Sequence, residues 1–395
     1  MYDEGDYMNI EAEVVDPPPL ATPTSMLRLL LNDSSYNTCL NASGNASDCL
    51  VTSDPTRLDF SSLERVVAVV VPVLFALIVV VGLIGNTLVV LVVACNPQMR
   101  STTNVLIINL AVADLLFILF CVPFTAFDYA LPYWLFGDAW CRVVQYLVLV
   151  CAYASIYTLV LMSLDRFLAV VHPIASMAFR TVRNAALACA VLWALIVLAC
   201  VPALMSHGLI SYTYHKVEYS ACVFLSNEGF SYAAYQLCFI LSGYLVPLGL
   251  IFALYMLMLK RLWFGVAPGG RVSAESLRSK KRVTRMVVIV VVIFAVCWCP
   301  IQVILLLKSV GAYNTTSSLR VVIQIVAQIL AYMNSCVNPI LYAFLSENFR
   351  KAFHKVIACH RKEGATVLPS SRHNRETTLN NGVASKSNNT SNDIM

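Results

Sequence analysis

Seven apolar runs, near residues 66–95, 103–131, 138–171, 184–205, 231–263, 281–308 and 320–345, govern what this chain can fold into. A bilayer's hydrocarbon core is about 30 Å thick and takes about 20 helical residues to cross, and every run is long enough. The composition agrees. The chain is 59% hydrophobic and 12% charged, whereas a soluble domain is about 25% charged. Too little polar surface exists to cover the apolar mass in water. These features predict an all-α membrane protein, a seven-transmembrane helix bundle occupying residues 66–345. The third run is the most telling. It is uncharged from Val143 to Leu164 and is bracketed by Cys141 on one side and the Asp165–Arg166 pair on the other. Twenty-five helical steps, roughly 37 Å, separate Cys141 from Arg166, so one helix sets them at opposite membrane faces.

The flanking charges orient the bundle. Arg100, Arg180, Arg183, the basic group from Lys260 to Arg285, and Arg350, Lys351, Lys355, Arg361 and Lys362 all fall on one side. The other side has only Arg142, Lys216, Lys308 and Arg320. Positive loops face the cytoplasm, which predicts a multi-pass plasma-membrane protein with an extracellular N-terminus and a cytoplasmic C-terminus. Residues 1–65 read as a disordered extracellular tail with glycosylation sequons at Asn32, Asn41 and Asn45. The tail opens acidic and proline-rich, unlike a signal peptide, so the first run is expected to act as an uncleaved signal anchor. Similar triplets at Asn388 and Asn389 leave the sequons alone unable to decide sidedness. The connections near 207–230 and 264–280 are the long ones. After the seventh run, residues 346–359 place Phe349, Phe353 and Val356 at helical spacing among Arg350, Lys351 and Lys355. That pattern predicts a short amphipathic eighth helix on membrane lipid, followed by Cys359 as a palmitoylation site or a free thiol. Residues 360–395 read as a disordered cytoplasmic tail open to kinases.

Polar groups inside the runs carry the chemistry. Asp114 lies deep in the second run, where an acid costs at least about 2.5–3.5 kcal/mol and needs partners. Asn86, Ser155, Asn334, Ser335 and Asn338 are the candidates. Together they form either an oxygen-rich site for an allosteric sodium ion or a structural hydrogen-bond knot. Apart from that ion no cofactor is expected. Asp165–Arg166, taken alone, reads as a solvated surface pair at a helix end. Pro247, Pro300 and Pro339 interrupt the fifth, sixth and seventh runs, as hinges or as passive kinks. No HExxH motif and no second mid-membrane acid supports an intramembrane enzyme, and neither a charged relay nor an internal repeat supports a transporter.

In order along the chain, these features resemble the rhodopsin-like, class A family of G-protein-coupled receptors. The resemblance covers roughly residues 66–360. It rests on Gly85-Asn86, Leu110-Ala111-Val112-Ala113-Asp114, Trp134 before Cys141, Asp165-Arg166, Trp193, Pro247 and Tyr255, Cys297-Trp298-Cys299-Pro300, and Asn338-Pro339-Ile340-Leu341-Tyr342. It implies a Cys141–Cys222 disulfide. It implies that Arg166 is released on activation to meet a heterotrimeric G protein, helped by Tyr255 and Tyr342. Trp298 would be the lever beneath the ligand, with Asp114 at the sodium site. Arrestin and receptor kinases would act at the tail. Two departures stand out. Phe167 replaces the usual tyrosine, and Lys280 and Lys281 stand where an acid often locks the arginine. The second departure predicts appreciable basal signalling, with Thr284 left as a weaker partner for Arg166.

Receptors for monoamines, opioids and somatostatin carry an aspartate where this chain has Val148, and opsins carry the retinal lysine where it has Tyr332. Amine ligands and retinal are therefore not expected. Gln145, Tyr146, Leu149, Gln302, Gln324, Gln328, Asp128 and Phe124 remain as candidate pocket residues near the outer face. Amides and aromatic rings of this kind suit a peptide, although each glutamine could equally bond helix to helix. The stretches Tyr133–Cys141, Ala154–Pro173 and Arg282–Gln302 look most like the insect allatostatin-A receptors, relatives of the galanin receptors. That likeness implies an amidated peptide ending in Phe-Gly-Leu-amide and G proteins of the inhibitory type. A galanin-, kisspeptin- or somatostatin-like peptide receptor is the alternative.

Overall fold

The computed structural model describes residues 55–131, 133–214, 217–225, 231–264, 274–313, 318–345 and 349–353. Asn32, Asn41, Asn45, Cys359 and the segments 1–54 and 360–395 lie outside the described residues. Seven helical spans are long and apolar enough to cross a membrane: Arg65–Cys95, Thr102–Ala130, Gly137–Val171, Val182–Ser206, Tyr232–Arg261, Thr284–Ser309 and Ser318–Phe344. Their outward faces carry residues such as Val69, Leu77, Leu187, Leu198, Phe252 and Phe344, all exposed, as a lipid-facing surface requires. Of the expected eighth helix, residues 349–353 are described and helical.

Six of the seven spans contain a proline, and the breaks follow from its missing N–H. The second span stops at Phe120 and restarts at Val122, with Pro123 in its first turn. The fourth restarts at Pro202. The fifth widens into a π-helical turn over Leu241–Leu245 just before Pro247. Pro72, Pro300 and Pro339 lie inside the first, sixth and seventh helices. The third span, Gly137–Val171, runs unbroken for 35 residues.

Two features hold the bundle around the third span. Trp193 of the fourth donates its indole N–H to Asn109 of the second at 2.9 Å, and Asn109 donates to Thr158 of the third at 2.7 Å. All three partners sit in hydrocarbon, where an unmet polar group is costly. On the other flank, Pro339 leaves the carbonyl four residues earlier, that of Ser335, without a helical donor. Asn86 supplies one at 2.9 Å. The first span comes this close because Gly85 has no side chain: a Cβ there would meet Pro339 Cβ at 2.9 Å.

The connection after the fourth span, expected only as a long loop, is a two-stranded antiparallel hairpin. β1 (His207–Tyr214) pairs with β2 (Val217–Phe224), Leu209 opposite Cys222. Its Leu-Ile-Ser-Tyr-Thr-Tyr and Cys-Val-Phe segments are the β-branched and aromatic composition that strands favour. The Cys141–Cys222 disulfide, with Cα atoms 5.6 Å apart, ties the hairpin to the first turns of the third span. Asp138 accepts from the Leu209 N–H at 2.8 Å and from Arg142 at 2.7 Å, and Arg142 also donates to the Leu204 carbonyl at 3.1 Å. Trp134 packs with the disulfide and donates to Gly137.

Candidate functional site

Three polar assemblies stand along the third span. The first is a cavity of about 280 Å³ beneath the hairpin, near the low end for ligand pockets. Gln145, Val148 and Leu149 of the third span line it, at i, i+3 and i+4, one helical face. Thr125, Asp128 and Tyr129 of the second span repeat that spacing. Trp298, Ile301, Leu305 and Lys308 come from the sixth, and Gln324, Gln328, Ala331 and Tyr332 from the seventh. Five of the candidate pocket residues, Gln145, Leu149, Gln324, Gln328 and Asp128, are therefore brought together.

Three are not, and each is one residue off its helix's lining stripe, about 100° around the axis. Tyr146 turns to the fourth span and donates to the Val197 carbonyl at 3.0 Å. Phe124 packs edge-on against Phe136 and Trp140 beside the disulfide. Gln302 is buried and absent from the wall, its Oε1 without a hydrogen bond. The reading from sequence also missed Thr125, Tyr129, His207, Tyr232, Tyr235 and Gln236. The 3.6-residue period would have found Thr125 and Tyr129. His207 could not be found that way, because it sits on the hairpin.

His207 is worth following. It is 8% exposed and ringed by Phe224 and Tyr235. Its Nδ1 lies 3.1 Å from the Ala203 carbonyl. The Ser206 hydroxyl lies 3.2 Å from the same nitrogen. Burial, and then the charge of Arg142, lower its pKa from the usual 6.5 to about 4. A depressed folded pKa means that the unfolded chain binds the proton first. The stability is therefore complete above about pH 6.5 and is lost as the pH falls toward 4. By pH 5 the loss reaches about 2 kcal/mol. Thermal unfolding in detergent at pH 7.5 and pH 5 measures it; His207→Phe should flatten the difference, and an equal difference in both proteins would refute the assignment.

The second assembly surrounds Asp114, which is fully buried. Asn338 donates to Asp114 Oδ2 at 2.8 Å. Ser155 and Ser335 turn their hydroxyls toward the carboxylate, yet Oδ1 has no hydrogen-bond partner, and neither has Asn86 Oδ1. Asn334 is buried as well. An orphaned carboxylate oxygen among neutral oxygens is the donor set of a small hard monovalent cation. The residues fit the sodium expectation, with Asp114, Ser155 and Ser335 as the groups to hold the ion and Asn86 and Asn338 orienting them. Among the described residues no cluster of His, Cys, Asp or Glu offers another metal site.

The third assembly is at the far end. Asp165 and Arg166 are 5% and 8% exposed, so the solvated surface pair is excluded. Asp165 Oδ2 accepts from Thr103 at 2.9 Å and from Arg166 Nε at 3.1 Å, and Oδ1 accepts from Arg180 Nε at 2.8 Å. Arg166 Nη2 also contacts Asp165 and the Thr103 hydroxyl. One carboxylate thus gathers two guanidinium groups and ties the second span and the connection after the third to the third span. Among the described residues no hydrogen bond or ion pair joins Arg166 to the sixth span, and Thr284 does not take that role. Tyr255 and Tyr342 bury their hydroxyls near this end without partners; Tyr342 stacks on Phe349 at 5.6 Å. Phe167 lies edge-on to His172 at 5.8 Å. Trp298 stacks on Phe294 at 5.7 Å, at the inner side of Pro300. What the geometry offers is a cavity at one end, a buried polar knot in the middle and a restrained guanidinium at the other end.

Residues 85–342 match the family described as 7 transmembrane receptor (rhodopsin family). The chain is similar to the allatostatin-A receptor of Bombyx mori, 59% identical over 330 residues, covering 83% of this chain and 90% of the relative. A galanin-like G-protein coupled receptor of Caenorhabditis elegans is 40% identical over 326 residues, 76% of this chain and 75% of the relative. Galanin receptor type 2 of Rattus norvegicus is 40% identical over 294 residues, 74% and 76% of the two chains.

Proposed function

This chain belongs to the rhodopsin family of seven-transmembrane receptors, and from that premise we propose that it is a plasma-membrane G-protein-coupled receptor for an amidated neuropeptide of the allatostatin-A type. The observation that carries the reading is the likeness to the silkworm allatostatin-A receptor along nearly the whole of that protein. The cavity supports it. Val148 stands on the third-span wall, where the amine receptors have their aspartate, Lys308 opposes a cation near Asp128, and amides and aromatic rings suit a peptide.

In this reading the hairpin end faces outward and Arg166 faces the cytoplasm, as the basic residues require. The peptide binds under the hairpin, against Trp298. The stack of Trp298 on Phe294 and the bend at Pro300 convert that contact into a shift of the sixth span. Arg166, freed from Asp165 and Thr103, meets a heterotrimeric G protein of the inhibitory type, with Tyr255 and Tyr342 as its hydroxyl partners. Asp114, Ser155 and Ser335 would hold an allosteric sodium ion, whose charge would balance the buried carboxylate. Arrestin and receptor kinases act on the C-terminal tail.

Cells expressing the chain should answer a Phe-Gly-Leu-amide peptide in a G-protein activation assay and stay silent to galanin. A response to galanin with none to the amide would move the receptor to the galanin branch. Silence to both at confirmed surface expression would overturn the ligand assignment.

A further inference from the structure

The cavity contains two opposite formal charges that do not meet. Asp128 on the second span and Lys308 on the sixth both line it, both are half-buried, and neither joins a hydrogen bond or ion pair among the described residues. A half-buried charge held in a cavity without a partner is costly, and it is a ready partner for something that binds. The other unmet groups on the wall lean the same way as Asp128. Gln236 Oε1 and Gln324 Oε1 are buried acceptors without donors. Against these stand two unmet donors, Lys308 and Trp298 Nε1.

This surplus of acceptors selects among peptide ends. A free carboxylate brings only acceptors and a negative charge, and it meets like-charge repulsion from Asp128. An ammonium brings only donors and is repelled by Lys308. A primary carboxamide is neutral, donates two N–H groups and accepts through its carbonyl. It answers both kinds of unmet group without opposing either charge. We propose that Asp128 is the specificity residue that admits an amidated peptide end and refuses the same peptide as a free acid, while Lys308 donates to ligand carbonyl oxygen. The proposal deepens, and rests on, the peptide-receptor reading given above.

The test uses the full-length receptor on intact cells, a surface tag to normalise expression, and two synthetic peptides that differ only in ending Phe-Gly-Leu-amide or Phe-Gly-Leu-carboxylate. The readout is the ratio of their potencies. Wild type should prefer the amide. Asp128→Asn keeps the shape, removes the charge and adds a donor. It should narrow the ratio about 10-fold or more, the scale of one hydrogen bond to a charged group, chiefly by improving the free acid. Lys308→Gln should widen the ratio, because the carboxylate loses its only cationic partner. The opposite signs of the two variants separate the proposal from general damage to the pocket. A wild type that answers the amide, with a ratio that Asp128→Asn leaves unchanged, would overturn this inference and leave the receptor reading intact. A wild type silent to both peptides would overturn the two together.

Discussion

Asp165→Asn should raise ligand-free G-protein signalling several-fold and lower the stability of the receptor at the same time. Asp165, itself 5% exposed, neutralises Arg166 and Arg180 and accepts from Thr103. An asparagine keeps an acceptor but leaves two guanidinium groups without their counter-charge. Breaking one partner out of a buried pair costs about 3–5 kcal/mol, and here one carboxylate serves two cations. Arg166 then has little reason to stay folded against its own helix. Adding Arg166→Ala should silence the basal signal and recover part of the lost stability, because it removes both the buried uncompensated charge and the group proposed to meet the G protein. The checks are a ligand-free activation assay at matched surface expression and a thermal unfolding midpoint in detergent. A stable Asp165→Asn receptor with unchanged basal signal would show that the carboxylate does not restrain Arg166. The sequence had suggested an unlocked arginine, from the lysines at the inner end of the sixth span. The structure places the restraint elsewhere, on the third span itself and on Thr103 of the second.

The Cys141→Ser, Cys222→Ser double variant should lose about 100-fold in peptide potency, ~2.7 kcal/mol, because the hairpin roof loses its covalent tie to the third span. The hairpin contributes His207, Cys222, Val223 and Phe224 to the cavity wall. Its noncovalent ties, Asp138 to the Leu209 N–H and Trp134 to Ser220, lie at partly exposed positions. Removing both thiols together avoids a reactive free cysteine. Radioligand binding on membranes measures the loss, and a reducing agent should bring wild type to the same level. Full potency in the double variant would mean that the noncovalent ties alone hold the roof.

The bundle was legible because hydrocarbon is an undiscriminating solvent: twenty apolar residues between charges leave one structural solution. The residues at Asp114 and at Asp165–Arg166 were legible for the converse reason, since a charge in such a setting has to be accounted for. The cavity was only partly legible. Tyr146, Phe124 and Gln302 have the right chemistry and depth but the wrong azimuth. Gln145, Val148 and Leu149 show that the stripe was there to be read at helical spacing. Arg180 was invisible as a partner, because in the sequence it was one more basic residue among those that set the topology; only the turn after the third span brings it back to Asp165. The hairpin escaped for a different reason. Its composition favours strands, but the pairing of Leu209 with Cys222 is set by where the two segments meet, and its roof position depends on where the third span begins.

The distribution of prolines has a mechanical consequence. Six spans are jointed, by Pro72, Pro123, Pro202, Pro247, Pro300 and Pro339. The third has neither proline nor break from Gly137 to Val171, and it is the span clamped at both ends, by a covalent bond to the roof and by the Asp165 cluster below. It behaves as a stator. Bending is left to the helices around it. Ordinary substitutions that soften the jointed spans should alter how far they swing. A single glycine or proline in the middle of the third would instead uncouple the two ends of the machine.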